Sequence, residues 1–130
     1  MKAEKLIQAY CDEVHNLTND ITFIHYQWSK SQDVSGYKKK LERYAKEVTV
    51  LLSLILRKKS TPSLQQALAE LPKAFARYII QITRKEVLTA EQTASDLLGK
   101  LLSIQAELES LFGLKMMRSS VKVLSGPRLR

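Results

Sequence analysis

The stretch GYKKKLERYAKEVTVLLSLILRKK, residues 36–59, joins eight Lys or Arg side chains to a markedly apolar run. Its apolar residues recur at alternating spacings of four and three, which is the pattern of one stripe on an α-helix. The stripe consists of Tyr37, Leu41, Tyr44, Val48, Leu51 and Ile55. The stretch therefore predicts a helix whose apolar stripe packs against partner helices and whose opposite face carries positive charge.

Three further segments have the same helical period. Residues 3–30 carry a first stripe, and turn-forming residues then separate this helix from the second. Thr61 and Pro62 have the residue types of an N-cap and a first helical position, so a third helix is expected to start there. Thr89 and Gln92 suggest a capping box for a fourth helix, which should end near Phe112.

These segments predict an all-α fold, an antiparallel four-helix bundle over residues 1–114. Pro72 lies within the third apolar stripe, so a split into five helices stays open. Residues 115–130 contain five bases and no acid, and are expected to form a basic, flexible tail. Doubled leucines widen the stripes, which favours a filled core over an interface with a partner; they are Leu51 with Leu52, Leu97 with Leu98, and Leu101 with Leu102.

The formal net charge of +8 is unevenly distributed along the chain. Residues 37–60 hold eight bases and two acids, whereas residues 89–114 hold one base and four acids. At 100° per residue, the bases opposite the apolar stripes form two basic stripes, one on the second helix and one on the third. They are Lys39, Arg43, Lys46 and Arg57, and Lys73, Arg77 and Arg84.

Two adjacent basic stripes predict a surface that binds the phosphate backbone of nucleic acid, whereas the simpler alternative is a solvated outer face. Tyr26, Trp28 and Tyr37 lie near the first connection and are candidates for base stacking. Trp28 and Tyr37 occupy stripe positions, which favours a place in the core. Tyr26 lies off the stripe.

No pattern in the chain points to an enzyme, a cofactor or a small-molecule substrate. His15 and His25 project from one helix in different directions, and Cys11 has no readable His and acid constellation. We therefore expect no metal site. The two histidines should be surface or partly packed residues, and Cys11 should be a small residue of the core. A single Cys and the lack of a secretory pattern favour the cytoplasm, and the longest apolar run, about nine residues, is too short for a membrane span.

In size, helical content and basic faces, residues 1–114 resemble the small subunits of CRISPR effector complexes. That resemblance implies a nonenzymatic subunit of a ribonucleoprotein in antiviral defence, with DNA or RNA, other subunits and further copies of itself as partners. The alternative is a helical protein-interaction module, a chaperone or assembly adaptor, that binds an acidic partner. Attachment to an anionic membrane is disfavoured, because it would remove the second helix's stripe from the core.

Overall fold

The computed structural model describes residues 2–114, and the basic tail predicted for residues 115–130 lies outside them. Four α-helices account for most of this part of the chain, and a short 3-10 turn precedes the second. The helices are α1 (Ala3–Ser29), α2 (Lys38–Lys58), α3 (Pro62–Thr83) and α4 (Val87–Phe112), and the turn is Ser35–Tyr37. The all-α prediction is confirmed.

The four helices form an antiparallel bundle in which each helix contacts the next and α4 closes the ring against α1. The closure includes a buried hydrogen bond, because the Tyr10 hydroxyl donates to the Leu101 carbonyl at 3.0 Å. Glu70 of α3 and Lys100 of α4 form an ion pair of 2.8 Å. Because neighbouring helices run antiparallel, the α1–α2 and α3–α4 connections lie together at one end of the bundle.

Pro72 does not split α3, which runs unbroken from Pro62 to Thr83. The proline ring is exposed, while Leu71 and Phe75 on either side of it are almost completely buried. Packing of these neighbours holds the helix together although Pro72 lacks the N–H that would bond the carbonyl of Leu68. The bundle therefore has four helices, and the five-helix alternative is wrong.

The helix ends agree with the sequence at Thr61 and near Phe112, but not at Thr89. The Thr61 hydroxyl accepts from the Leu64 N–H at 3.1 Å, and Gly113 has the left-handed φ of 68° expected just after a helix. The capping box at Thr89 is wrong, because α4 already begins at Val87 after the positive-φ residue Lys85. Thr89 thus lies inside the first turn.

The apolar stripes of all four helices meet in one core. Of the doubled leucines, Leu52, Leu97 and Leu101 are buried and Leu51 and Leu98 are partly buried against that core. Only one member of these pairs, Leu102, is exposed, by 37%. The wide stripes therefore fill this chain's own core. Trp28 and Tyr37 also pack against it, as expected.

Candidate nucleic-acid interface

The seven predicted contact residues are all solvent-exposed, and six of them lie in the first half of α2 or in the second half of α3 and its C-cap. A groove between α2 and α3 shows how these helices align, because it is lined by residues 42–50 of one and 72–79 of the other. The antiparallel alignment sets pairs of bases at matching heights on the two helices. We call this set the basic face: Lys39 with Arg84, Arg43 with Arg77, and Lys46 with Lys73.

Arg57 does not belong to the basic face. It lies eleven residues after Lys46 on α2, which is about 16 Å along the helix axis. Val50 and Leu54 occupy the outer surface between the two, with exposures of 46% and 37%. Exposed apolar side chains therefore separate Arg57 from the other three bases of the α2 stripe, and Arg57 lies with Lys58 and Lys59 near the far end of the helix.

Arg43 is the one member of the basic face that forms an ion pair among residues 2–114. Its guanidinium lies 3.6 Å from Glu13 of α1 and 4.6 Å from the centroid of the Tyr44 ring. The other members have no carboxylate within 4.0 Å in this part of the chain. A helical projection of α2 alone does not show the side chains of other helices, so the ion pair between Arg43 and Glu13 was not predicted from the sequence.

Lys40 is also turned toward α1. Its ammonium lies 3.1 Å from an Asp20 carboxylate oxygen, which accepts a hydrogen bond of 2.6 Å from the Tyr44 hydroxyl as well. Burial and this hydrogen bond raise the pKa of Tyr44. The contacts join the first turns of α2 to the end of the middle third of α1, so this part of α1 borders the basic face.

The groove between α2 and α3 has a volume of about 420 Å³ and a mostly apolar lining. Phe75 and Ile79 are its buried lining residues, Ala45 and Ala76 line it as well, and one acid and one base, Glu42 and Lys46, are exposed at its edge. Ile80, on the outer surface of α3 next to the groove, is 48% exposed. The basic face thus surrounds an apolar strip that the sequence analysis did not predict.

A second, larger groove of about 660 Å³ lies between α3 and α4 and is lined mostly by polar residues. Its three acids all accept hydrogen bonds: Glu70 from Lys100 and Gln66, Glu107 from Thr61 at 2.9 Å, and Asp96 from Gln92 at 3.0 Å. Hydrogen bonds and the Lys100 ammonium lower the pKa of Glu70. The lining contains no Cys, His or Tyr, and the bonded carboxylates of Glu70 and Glu107 join the two helices.

His25 and Cys11 have structural surroundings. The Nε2 atom of His25 lies 2.9 Å from the Tyr78 hydroxyl, and its ring makes an edge contact with Trp28. Burial lowers the pKa of His25 and raises that of the buried Cys11 thiol to about 12. Within residues 2–114 no three His, Cys, Asp or Glu side chains are grouped so as to hold a metal ion.

Comparisons with known proteins found no relative from which a function could be transferred. No protein-family model matches it, and neither the curated proteins nor the solved structures include a significant match. No helix in the described part of the chain has the length and apolar character needed to cross a membrane.

Proposed function

We propose that this chain is a nonenzymatic helical subunit that binds nucleic-acid backbone through its basic face, without reading base sequence. The observation that carries the proposal is the alignment of six exposed bases at matching heights on α2 and α3. Phosphates are attracted to such a surface because binding releases the counterions condensed on the nucleic acid. Contacts to phosphate position a protein on its ligand but carry no sequence information.

The charge around the basic face supports this function. Among the exposed side chains of α2, only Glu42 and Glu47 are acidic. The acids of α1 that point toward α2, Glu13 and Asp20, are compensated by Arg43 and Lys40. A polyanion at this face therefore meets a clear excess of positive charge.

The resemblance to CRISPR small subunits supplies the setting of the proposal, a cytoplasmic ribonucleoprotein that contains other subunits. It is supported by the all-α bundle of the described residues. Purification from the native host, with sequencing of bound nucleic acid and identification of bound proteins, tests this setting. A preparation that contains neither would contradict it.

The backbone contact is tested by fluorescence anisotropy with unrelated single-stranded and duplex oligonucleotides at about 50 mM and about 200 mM salt. The test variant is Lys39→Glu/Lys46→Glu/Arg77→Glu, and the matched control, with the same change in net charge, is Arg57→Glu/Lys58→Glu/Lys59→Glu. We expect the test variant to lose most of its affinity and the control to keep most of it.

Two results would contradict the proposal. If the wild-type chain binds no oligonucleotide at low salt, the function is wrong. If both triple variants lose affinity equally, net charge alone drives binding and the basic face is not the site.

The apolar groove favours a second candidate function, the binding of an acidic amphipathic helix. Such a helix would place apolar side chains over Phe75 and Ile79 and carboxylates against the surrounding bases. A labelled model helix of Leu and Glu tests this directly. Ala76→Trp, which fills the groove, should abolish its binding and leave backbone binding nearly unchanged if the candidate is correct.

A further inference from the structure

Two aromatic side chains lie side by side on the outer surface of α1. Phe23 is 47% exposed and Tyr26 is 56% exposed, although the residue between them on the inner side, Ile24, is fully buried. Their ring centroids are 6.4 Å apart and their planes differ by only 16°. The Lys30 ammonium lies 5.6 Å from the centroid of the Tyr26 ring. The helix thus presents two nearly parallel aromatic rings to solvent, with a cation over the Tyr26 ring.

This aromatic pair lies next to the basic face. Asp20, which precedes Phe23 by about one helical turn, contacts both Lys40 and Tyr44 of α2. The turn of α1 that carries Phe23 therefore runs alongside the start of α2, where three consecutive lysines, residues 38–40, are exposed. A nucleic-acid strand lying along these lysines would pass beside the aromatic pair.

We propose that Phe23 and Tyr26 form a stacking platform for unpaired bases, so that the nucleic acid bound by this chain is single-stranded. The inference rests on the proposed function and adds the class of ligand to it. Any base can stack on an aromatic ring, because every base has a π face. Lys30 is placed to bind the phosphates that join the stacked nucleotides.

The platform separates single strands from duplexes for a physical reason. In a duplex the bases are paired and stacked on one another, so only the backbone reaches a protein surface of this kind. A single strand can turn its bases outward onto the rings while its phosphates follow the lysines. Base stacking on α1 therefore adds to the affinity for single strands and not to the affinity for duplexes.

The experiment compares the wild-type chain with Phe23→Ala/Tyr26→Ala, using three probes of equal length in anisotropy titrations. The probes are oligothymidylate, an abasic oligonucleotide that keeps the phosphates but has no bases, and a duplex. Because stacking is lost only where bases are free, we expect affinity for oligothymidylate to fall at least about fivefold. Affinity for the other two probes should stay unchanged.

Two control variants accompany the test. Phe23→Trp/Tyr26→Trp keeps the aromatic faces and should retain affinity for oligothymidylate. Leu102→Ala removes an exposed apolar side chain from α4 and should change no affinity. Urea unfolding of each variant shows that the bundle is intact, as expected for changes at exposed positions.

The outcomes distinguish this inference from the function on which it rests. If the alanine variant binds oligothymidylate as tightly as wild type while the charge-reversed variant does not, the platform is wrong and backbone binding stands. If the alanine variant instead abolishes a self-association seen by sedimentation and leaves all three probes unaffected, the aromatic pair is a protein contact. If no probe binds the wild-type chain, both proposals are wrong.

Discussion

The hydroxyl of Tyr44 donates a hydrogen bond of 2.6 Å to Asp20, and this bond links the buried side of α2 to the polar edge of α1. The same Asp20 oxygen lies 3.1 Å from the ammonium of Lys40. One carboxylate therefore holds together the two helices that border the proposed nucleic-acid path, and it limits how far Lys40 is free to bind phosphate.

Tyr44→Phe should lower the free energy of unfolding by about 1.5–3 kcal/mol, the usual contribution of a hydrogen bond to a charged group. Urea unfolding at neutral pH measures the change. Tyr37→Phe is the matched control, because Tyr37 is only partly buried. Equal stability of the two variants would mean that the Asp20 bond contributes nothing.

Single alanine substitutions on α2 should separate Lys46 from Arg57. Lys46→Ala removes one phosphate contact from the basic face, so we expect affinity to fall several-fold and the salt slope to decrease by about one. Arg57→Ala should leave both quantities nearly unchanged, since Arg57 lies outside the face. Anisotropy at a series of salt concentrations measures both, and equal effects would mean that Arg57 contacts the backbone together with Lys46, as the sequence predicts.

Pro72→Ala should stabilise the bundle by about 1–3 kcal/mol, because alanine supplies the missing N–H to the Leu68 carbonyl and fits an α-helix interior. The exposed proline ring contributes little to the core. Urea unfolding measures the gain, with Ala76→Gly on the same helix as a control that should destabilise. A less stable Pro72→Ala chain would contradict this account of α3.

Thr61→Ala should destabilise the bundle by about 1–2 kcal/mol, the usual effect of losing an N-cap. The Thr61 hydroxyl also donates to Glu107 at 2.9 Å, so the start of α3 loses its bond to α4 as well. Thr61→Ser keeps the hydroxyl and should be close to wild type in thermal or urea unfolding. Similar losses for Ser and Ala would show that the hydroxyl is not responsible.

Stability should decrease as the pH falls below about 6.5, in part because of His25. Burial lowers the pKa of His25 in the fold below the value of 6.5 for the unfolded chain, and the nearby Glu91 only partly opposes this shift. As the pH falls, the unfolded chain binds the proton first, so the free energy of unfolding decreases until folded His25 is protonated as well. His25→Gln should show a shallower dependence in urea unfolding above about pH 5, and an unchanged dependence would contradict the assignment.

Much of the fold follows from the spacing of apolar residues alone. A spacing of three and four identifies the buried stripe of each helix, and local signals such as Thr61 and Gly113 mark helix ends. The start of α4 was misplaced because a capping box describes one turn in isolation, whereas Lys85 redirects the chain two residues before Val87. Whether α3 stays continuous at Pro72 depends on the tertiary packing of Leu71 and Phe75, which cannot be predicted from the local sequence.

The candidate site was predictable only as far as single helices allow. A helical projection identified outward bases on α2 and α3, but the alignment of the two helices decides that Arg57 is separate from the rest. The pairing of Arg43 with Glu13 joins residues thirty positions apart. The Phe23 and Tyr26 pair could be recognised from the sequence, because the two aromatic residues have an i, i+3 spacing off the apolar stripe. Its proposed role in binding depends on the position of α2, which the sequence of α1 does not show.

Charge is separated between the helices: residues 2–36 hold five acids and three bases and residues 89–114 four acids and one base, whereas residues 37–60 hold eight bases and two acids. The described part of the chain therefore has an electric dipole directed across the helices. The field of a polyanion would turn the protein before contact, so that α2 and α3 face the polyanion when the two collide. Added salt should then slow association more than it speeds dissociation.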